Sequence, residues 1–319
     1  MESRSLHLER QMDVSLNGVA NNTTDAKYWP LRVALITIYS CVLLGGSVSI
    51  GLVICVLKSN IRSVTTTAVL NLIVVHIIFL LTVPFRIHYY VTDTWDLGPF
   101  FCKLVSAMIH AHMYIAFVFY VAILVVRYRS FYLKRDKVEF YRKLHALWAS
   151  AGVWGIMLVI VLPIYITKYG NSGNYTSSQC FRFESELKET YVVVLNYVII
   201  IIVVLVASGL KGFQMYIFWK ILRRYRSECS SYQEFWAQVK SFAFVMVMFV
   251  CFVPYHVFRI YYLVKQNNED EKMDLHWQNE VFLALTALSC FDLLTFAGKA
   301  SCIACDSACS KLKSFLPCC

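Results

Sequence analysis

The chain has 319 residues, of which 58% are hydrophobic and 16% are charged, and its mean hydropathy is +0.57. Soluble domains are about 45–50% apolar and about 25% charged. The composition therefore excludes intrinsic disorder, a collagen-like chain and a disulfide-rich toxin, and it disfavours an ordinary soluble enzyme.

Seven segments of the chain are free, or nearly free, of charged residues. In chain order they are residues 33–57, 63–85, 104–126, 144–167, 190–210, 241–258 and 281–298, and only the last carries a charge, on Asp292. About 20 apolar residues in a helix cross the bilayer core of about 30 Å, and a helix satisfies its own backbone hydrogen bonds in lipid. The run 199–204 lacks the polar face that a core helix of a soluble protein shows. We therefore predict an all-α membrane protein, a seven-transmembrane helix bundle over residues 31–298.

Basic residues are unevenly divided between the two sides of the predicted bundle. The side with the N-terminus carries 8 Lys and Arg, and the opposite side carries 17. Because basic loops stay in the cytoplasm, we predict an extracellular tail of residues 1–30 and a cytoplasmic Cys-rich tail of residues 299–319. The first tail has no apolar run, so no cleaved signal peptide is expected. The net charge of +10 then indicates a basic inner face opposite anionic lipid, not a nucleic-acid footprint.

Two of the twelve cysteines, Cys102 and Cys180, fall in the extracellular space of this predicted topology. They are the only two cysteines in that oxidising compartment, so we expect them to form a disulfide. The bond would tie the loop after the fourth span to the start of the third helix.

Candidate modification sites occur on both predicted sides. Cys302, Cys305 and Cys309 follow the last span near basic residues, a pattern typical of palmitoylation. Cys302 and Cys305 form a CxxC with no second ligand pair, so neither a metal ion nor a cofactor is predicted. Glycosylation sequons begin at Asn21, Asn22 and Asn174, all on the predicted outer side.

Several motifs resemble those of the rhodopsin-like G-protein-coupled receptors. Arg127-Tyr128 stands 25 residues after Cys102, where that family has the Arg-Tyr of its Asp-Arg-Tyr motif. Residues 251–259 (CFVPYHVFR) and 83–86 (VPFR) are similar to the nucleotide- and lipid-mediator branch. Further matches are Trp95, Trp154 and Pro163. The resemblance implies a multi-pass plasma-membrane receptor that relays binding of an extracellular ligand to a heterotrimeric G protein.

The resemblance also implies where a ligand binds. Family members with an Arg at the position of Arg259 use it for anionic ligands, and His256 shares its helix face. Arg86 lies near the outer end of the second span. Each of the two arginines, Arg86 and Arg259, either contacts the ligand or extends to the outer membrane interface. The candidate ligand-binding residues are Arg86, Tyr90, His110, Tyr114, Tyr255, His256 and Arg259. We expect a small anion or an anionic lipid, although each aromatic ring taken alone is better explained by packing or by the belt of aromatic residues at the membrane interface.

A second implied site is the cytoplasmic switch. In the family, the motif Arg holds an acidic residue at the foot of the sixth helix and later contacts the G protein, which assigns these roles to Arg127, Tyr128 and Glu234. The family's acidic residue before that Arg is here Val126, which accepts no hydrogen bond. Either the loss of this hydrogen-bond acceptor weakens the inactive state and raises basal signalling, or packing around Val126 compensates for the loss.

A third implied site is the family's sodium pocket, which departs from the family pattern. The sodium-binding Asp falls on His76, and the seventh span begins its motif with Asp292 but lacks the following proline. A His76–Asp292 pair would satisfy two costly buried groups, and because an imidazolium repels Na⁺ we predict little sodium effect. The pair either titrates with pH or stays neutral and silent.

Other classes of membrane protein fit less well. A polytopic transporter or channel, the alternative reading, would carry polar residues through several spans and often inverted repeats, whereas the fourth and fifth spans are nearly purely apolar. A retinal protein needs a Lys within residues 281–298, and none is present. Asp292 is the only carboxylate in a span, so no intramembrane enzyme is predicted.

Overall fold

The computed structural model describes residues 2–57, 64–132, 139–161, 163, 180–181, 189–224, 233–265 and 271–295. These residues form seven α-helices and no strand. The helices are α1 (Glu2–Leu57), α2 (Val64–Thr92), α3 (Gly98–Tyr132), α4 (Glu139–Ile156), α5 (Thr190–Arg224), α6 (Gln233–Lys265) and α7 (Lys272–Thr286). A π-helical turn, Met157–Val161, continues α4, and a 3-10 turn, Ala287–Phe291, continues α7.

Five of these helices are long and apolar enough to cross a membrane. The spanning segments are Ala26–Cys55, Thr67–Thr92, Gly98–Val126, Thr190–Lys220 and Ser241–Lys265, on α1, α2, α3, α5 and α6. On α4 the apolar helical stretch is Leu147–Val159, and the predicted fourth span continues past the described residues. The helix of the seventh predicted span, 281–298, is α7, which begins at Lys272, nine residues before that span. The all-helical class predicted from the uncharged runs is confirmed.

The helices pack as a bundle around one shared core. α1 packs against α2 and α7, α2 against α3 and α4, and α6 against α3, α5 and α7. Phe79, Tyr120 and Phe252 are completely buried in that core. In contrast, apolar side chains such as Leu44 and Leu205 are exposed, as expected for helices whose outer surface faces lipid.

A close approach joins α1 to the turn that ends α7. A β-carbon added at Gly45 would overlap the ring of Phe291, so a larger residue at this position would require that ring to move. The β-carbon of Cys290 lies 3.3 Å from the corresponding point at Gly46. This contact fixes the position of the turn that carries Cys290 and leads into Asp292.

The disulfide Cys102–Cys180 is present, with 5.7 Å between the two α-carbons, which confirms the predicted pair. It holds Phe181 over the end of the bundle, where the Phe181 ring contacts Tyr89 and Trp95. Trp95 donates a hydrogen bond from Nε1 to the carbonyl oxygen of Gly98 (2.8 Å), a residue whose φ of +80° favours glycine. We call this end of the bundle the disulfide end.

Candidate functional site

Arg86 lies inside the disulfide end of the bundle and is 1% exposed. The expectation that it could extend to the membrane interface is therefore wrong. Its Nη1 lies 3.5 Å from Oε2 of Glu280 on α7 and donates to the Tyr39 hydroxyl at 3.3 Å. Its Nη2 donates to the carbonyl oxygen of Val105 at 3.4 Å. The guanidinium also stacks over the Phe181 ring, 4.3 Å from its centroid.

Glu280 is the partner that makes the burial of Arg86 possible. It is 5% exposed, and its Oε2 also accepts a 2.7 Å hydrogen bond from the Tyr90 hydroxyl. Two charges in an apolar interior are tolerated only when they are paired and hydrogen-bonded. Sequence analysis missed Glu280, although it is the last charged residue before the seventh uncharged run. A charge at the edge of a span is ordinary, so nothing distinctive in the sequence marks Glu280.

Arg259 on α6 has different partners. Its Nη1 donates to Asn279 Oδ1 at 2.9 Å, and its Nε donates to Asn196 Oδ1 at 3.4 Å. The guanidinium lies 4.8 Å from the centroid of the Tyr262 ring, and the residue is 8% exposed. These two hydrogen bonds hold the guanidinium in one orientation.

The remaining pocket candidates on α3 and α6 contact one another. His110 Nε2 lies 3.5 Å from the Tyr255 hydroxyl, and the Tyr255 ring lies 5.2 Å from that of His256. The structure thus brings these residues of α3 and α6 into one region.

His256 presents a polar atom to this region. Its Nδ1 donates to the carbonyl oxygen of Phe252 at 2.8 Å, and its ring lies 6.1 Å from that of Tyr114. The Nε2 atom of His256 is buried and has no hydrogen-bond partner among the described residues. With Nδ1 protonated, Nε2 is an acceptor, available to a donor group of a ligand.

The middle of the bundle holds a buried polar cluster. His76 Nε2 lies 3.1 Å from Asp292 Oδ1, and the Tyr120 hydroxyl donates to Asp292 Oδ2 at 2.6 Å. On the other side of the His76 ring, Nδ1 lies 2.8 Å from His112 Nε2. His112 is a member that sequence analysis did not single out, because it lies on α3, 36 residues from His76.

At the opposite end of the bundle, the described side chains give one part of the predicted switch. The Tyr128 hydroxyl donates to Gln214 Oε1 at 3.0 Å, which joins α3 to α5. Val126 is half-buried. Arg127 lies in α3 and Glu234 in α6, but both side chains are outside the described part of the structure. The same holds for the side chains of Asn21 and Asn22, and for Asn174, Cys302, Cys305 and Cys309 altogether.

The profile of the 7 transmembrane receptor (rhodopsin family) matches residues 48–292, more than half of the chain. The chain therefore belongs to the rhodopsin family of seven-transmembrane receptors. It is 50% identical over 264 residues to Probable G-protein coupled receptor 141 of Homo sapiens, an alignment that covers 82% of this chain and 87% of the relative.

Two more distant relatives have names that specify a lipid. Lysophosphatidic acid receptor 6 of Homo sapiens is 30% identical over 165 residues, covering 49% of this chain and 47% of the relative. N-arachidonyl glycine receptor of Macaca fascicularis is 24% identical over 246 residues, covering 74% of this chain and 72% of the relative.

Membership of this family decides the general class of function. The chain is a multi-pass membrane protein of a plasma-membrane receptor family that is not enzymatic and that signals through G proteins. The family is one of receptors, so the alternative of a transporter or channel is wrong.

Proposed function

We propose that this receptor recognises a small anion or an anionic lipid at the disulfide end and activates a heterotrimeric G protein at the opposite end. The observation that carries the proposal is the position of Arg259, a buried cation on α6 beside the candidate pocket rings. Hydrogen bonds to Asn279 Oδ1 at 2.9 Å and to Asn196 Oδ1 at 3.4 Å fix its guanidinium in one orientation. A buried and oriented guanidinium is a group that can bind the anionic head of a ligand through charge-assisted hydrogen bonds.

The names of two relatives support the chemical class. Lysophosphatidic acid is a lipid phosphate, and N-arachidonyl glycine is a lipid carboxylate. Both combine an anionic head with an apolar chain, which suits a charged pocket surrounded by aromatic rings. These two lipids are the first probes to apply to this receptor, together with their uncharged esters.

The test compares Arg259→Gln with Lys265→Gln, a change to an exposed cation on the same helix, paired with Glu271 at 3.5 Å. Nucleotide exchange on purified G proteins is measured against the concentration of each lipid. A charge-assisted hydrogen bond contributes about 1.5–3 kcal/mol, so Arg259→Gln should raise the half-maximal concentration about 10- to 100-fold. An anion response that is equal in Arg259→Gln and Lys265→Gln contradicts the proposal.

Ligand-induced activation follows from a shift between two helix packings, since a ligand stabilises whichever packing it binds more tightly. In this proposal Arg127, Tyr128 and Glu234 form the switch at the G-protein end. The basic side of the bundle, with 17 Lys and Arg against 8, supports a cytoplasmic position for that end.

The same orientation places the N-terminal tail 1–30 and the sequons at Asn21, Asn22 and Asn174 outside the cell, and the tail 299–319 inside. Glycosylation at the sequons and palmitoylation at Cys302, Cys305 and Cys309 are then accessible to the enzymes of each compartment. Antibody access to N- and C-terminal epitope tags on intact cells tests the orientation. Labelling of the N-terminal tag alone is expected, and labelling of both tags overturns it.

A further inference from the structure

Three atoms of the kind that coordinate metal ions lie close together in the middle of the bundle, on three different segments of the chain. They are His76 Nδ1 on α2, His112 Nε2 on α3 and Cys290 Sγ on the turn after α7, all within 4.8 Å of one another. The Nδ1–Nε2 distance is 2.8 Å, and the sulfur lies 3.8 Å from Nδ1 and 3.5 Å from Nε2. All three residues are buried, with His76 and Cys290 completely so.

We propose that His76, His112 and Cys290 bind a Zn²⁺ ion that links α2, α3 and α7. Zinc bonds to imidazole nitrogen at about 2.0–2.1 Å and to thiolate sulfur at about 2.3 Å, in tetrahedral geometry. Tetrahedral angles then require about 3.3 Å between the nitrogens and about 3.6 Å between nitrogen and sulfur. The two nitrogen–sulfur distances already agree to within about 0.2 Å, and the imidazoles need to separate by only about 0.5 Å.

The surroundings of His76 resemble those of a metal-bound histidine, whereas Nδ1 of His112 has no hydrogen-bond partner among the described residues. A metal-bound His donates its other ring N–H to a carboxylate, which fixes the tautomer that coordinates the metal. Here His76 Nε2 faces Asp292, which leaves Nδ1 for the metal, and Asp292 is itself held by Tyr120. The His112 ring stacks on Phe79, with centroids 4.3 Å apart and planes inclined by 22°.

The charges of this zinc site balance. Zinc binds the thiolate, so the Cys290 proton is released to solvent. The proton shared by His76 Nδ1 and His112 Nε2 must also leave these atoms: from His76 it goes to solvent, and from His112 Nε2 it is replaced by a proton on Nδ1 of the same ring, which keeps that imidazole neutral. The doubly charged ion is then neutralised by the Cys290 thiolate and the Asp292 carboxylate, with both imidazoles neutral. A buried group of charges needs this kind of compensation.

The donor set selects the class of metal. Imidazole and thiolate prefer zinc or copper, whereas Na⁺, Mg²⁺ and Ca²⁺ prefer oxygen ligands. The sequence predicted no metal, because Cys290 stands 214 residues from His76 and no short motif joins the three ligands. Only the packing of the bundle brings them together.

The first test measures metal content in the full-length receptor, purified through a tag without histidine, stripped with a chelator and reloaded with Zn²⁺. One zinc ion per chain is expected for the wild type and for Cys251→Ser, which removes another buried core thiol. Cys290→Ser and His112→Phe should lose at least four-fifths of that zinc, and zinc should raise the Tm of the wild type and of Cys251→Ser only. Equal zinc in Cys290→Ser and Cys251→Ser overturns the site.

A second measurement needs no variant and so does not depend on whether a variant folds. X-ray absorption at the zinc edge of the wild-type receptor should show one sulfur neighbour together with imidazole nitrogens. Zinc surrounded by oxygen and nitrogen alone refutes the assignment.

Discussion

Removing the charge of Glu280 tests how the disulfide end is held together. Glu280→Gln keeps the shape of the side chain and an oxygen acceptor for Tyr90, but it leaves the buried guanidinium of Arg86 without its carboxylate. Breaking a buried ion pair from one side costs about 3–5 kcal/mol. At about 2–4 °C per kcal/mol, the Tm of the receptor should fall by about 6–20 °C.

The assay is thermal unfolding of the purified receptor in one detergent, followed by size-exclusion chromatography of heated samples. Arg86→Met should lower the Tm by a similar amount, because it leaves the buried carboxylate of Glu280 without its guanidinium partner. The double variant Arg86→Met/Glu280→Met removes both charges and should be less destabilised than the sum of the single changes. A Tm for Glu280→Gln within about 2 °C of the wild type, or strict additivity in the double variant, would refute the reasoning.

Three further predictions concern other parts of the chain. Val126→Asp restores a hydrogen-bond acceptor beside Arg127 and should lower ligand-independent nucleotide exchange; unchanged exchange contradicts a weakened inactive state. Replacing Na⁺ by an organic cation should leave ligand affinity unchanged, because His76 stands where a sodium carboxylate is expected; a sodium-dependent affinity opposes this. Hydrogen bonds from Lys27 and Tyr28 lower the pKa of the exposed Asp274 carboxyl. Their stabilisation is present above the ordinary Asp pKa of about 4 and is lost as the pH falls through the lowered value, so Tm differences between wild type and Asp274→Asn should vanish only in that acidic range.

The fold was largely predictable because a membrane imposes a simple constraint on sequence. Each span must be about 20 residues with few charges. Each of the seven runs overlaps one helix, and five of these helices are long and apolar enough to cross a membrane. The pair Cys102–Cys180 was predictable for a related reason, since topology leaves these two cysteines together in one compartment.

The polar sites were only partly predictable, because their partners are distant in the chain. Arg86 is unusual within its own segment, but its partner Glu280 is 194 residues away and lies at the edge of a span, where a charge is ordinary. Cys290 is a common residue in an apolar helix and gives no signal by itself. His112 is an ionisable residue within a span, which indicates a site but does not identify its partners. Their significance depends on the rotation of α3 and α7 about their axes, which hydrophobicity does not determine when a helix is apolar on every side.

The two buried sites are joined by a continuous series of contacts through α6. The Tyr120 hydroxyl binds Asp292, and its ring stacks on Phe252, with centroids 5.9 Å apart. The Phe252 carbonyl in turn accepts the Nδ1 proton of His256 in the proposed ligand pocket. Contacts alone do not establish coupling, which requires that both sites bias the same two-state element. Helix α6 is suited to be that two-state element. It carries His256 and Arg259 of the proposed ligand pocket, and its Phe252 stacks on Tyr120, which hydrogen-bonds to Asp292 beside the proposed zinc site. If zinc favours one packing of α6 and the anion favours the other, each must weaken the binding of the other by the same factor.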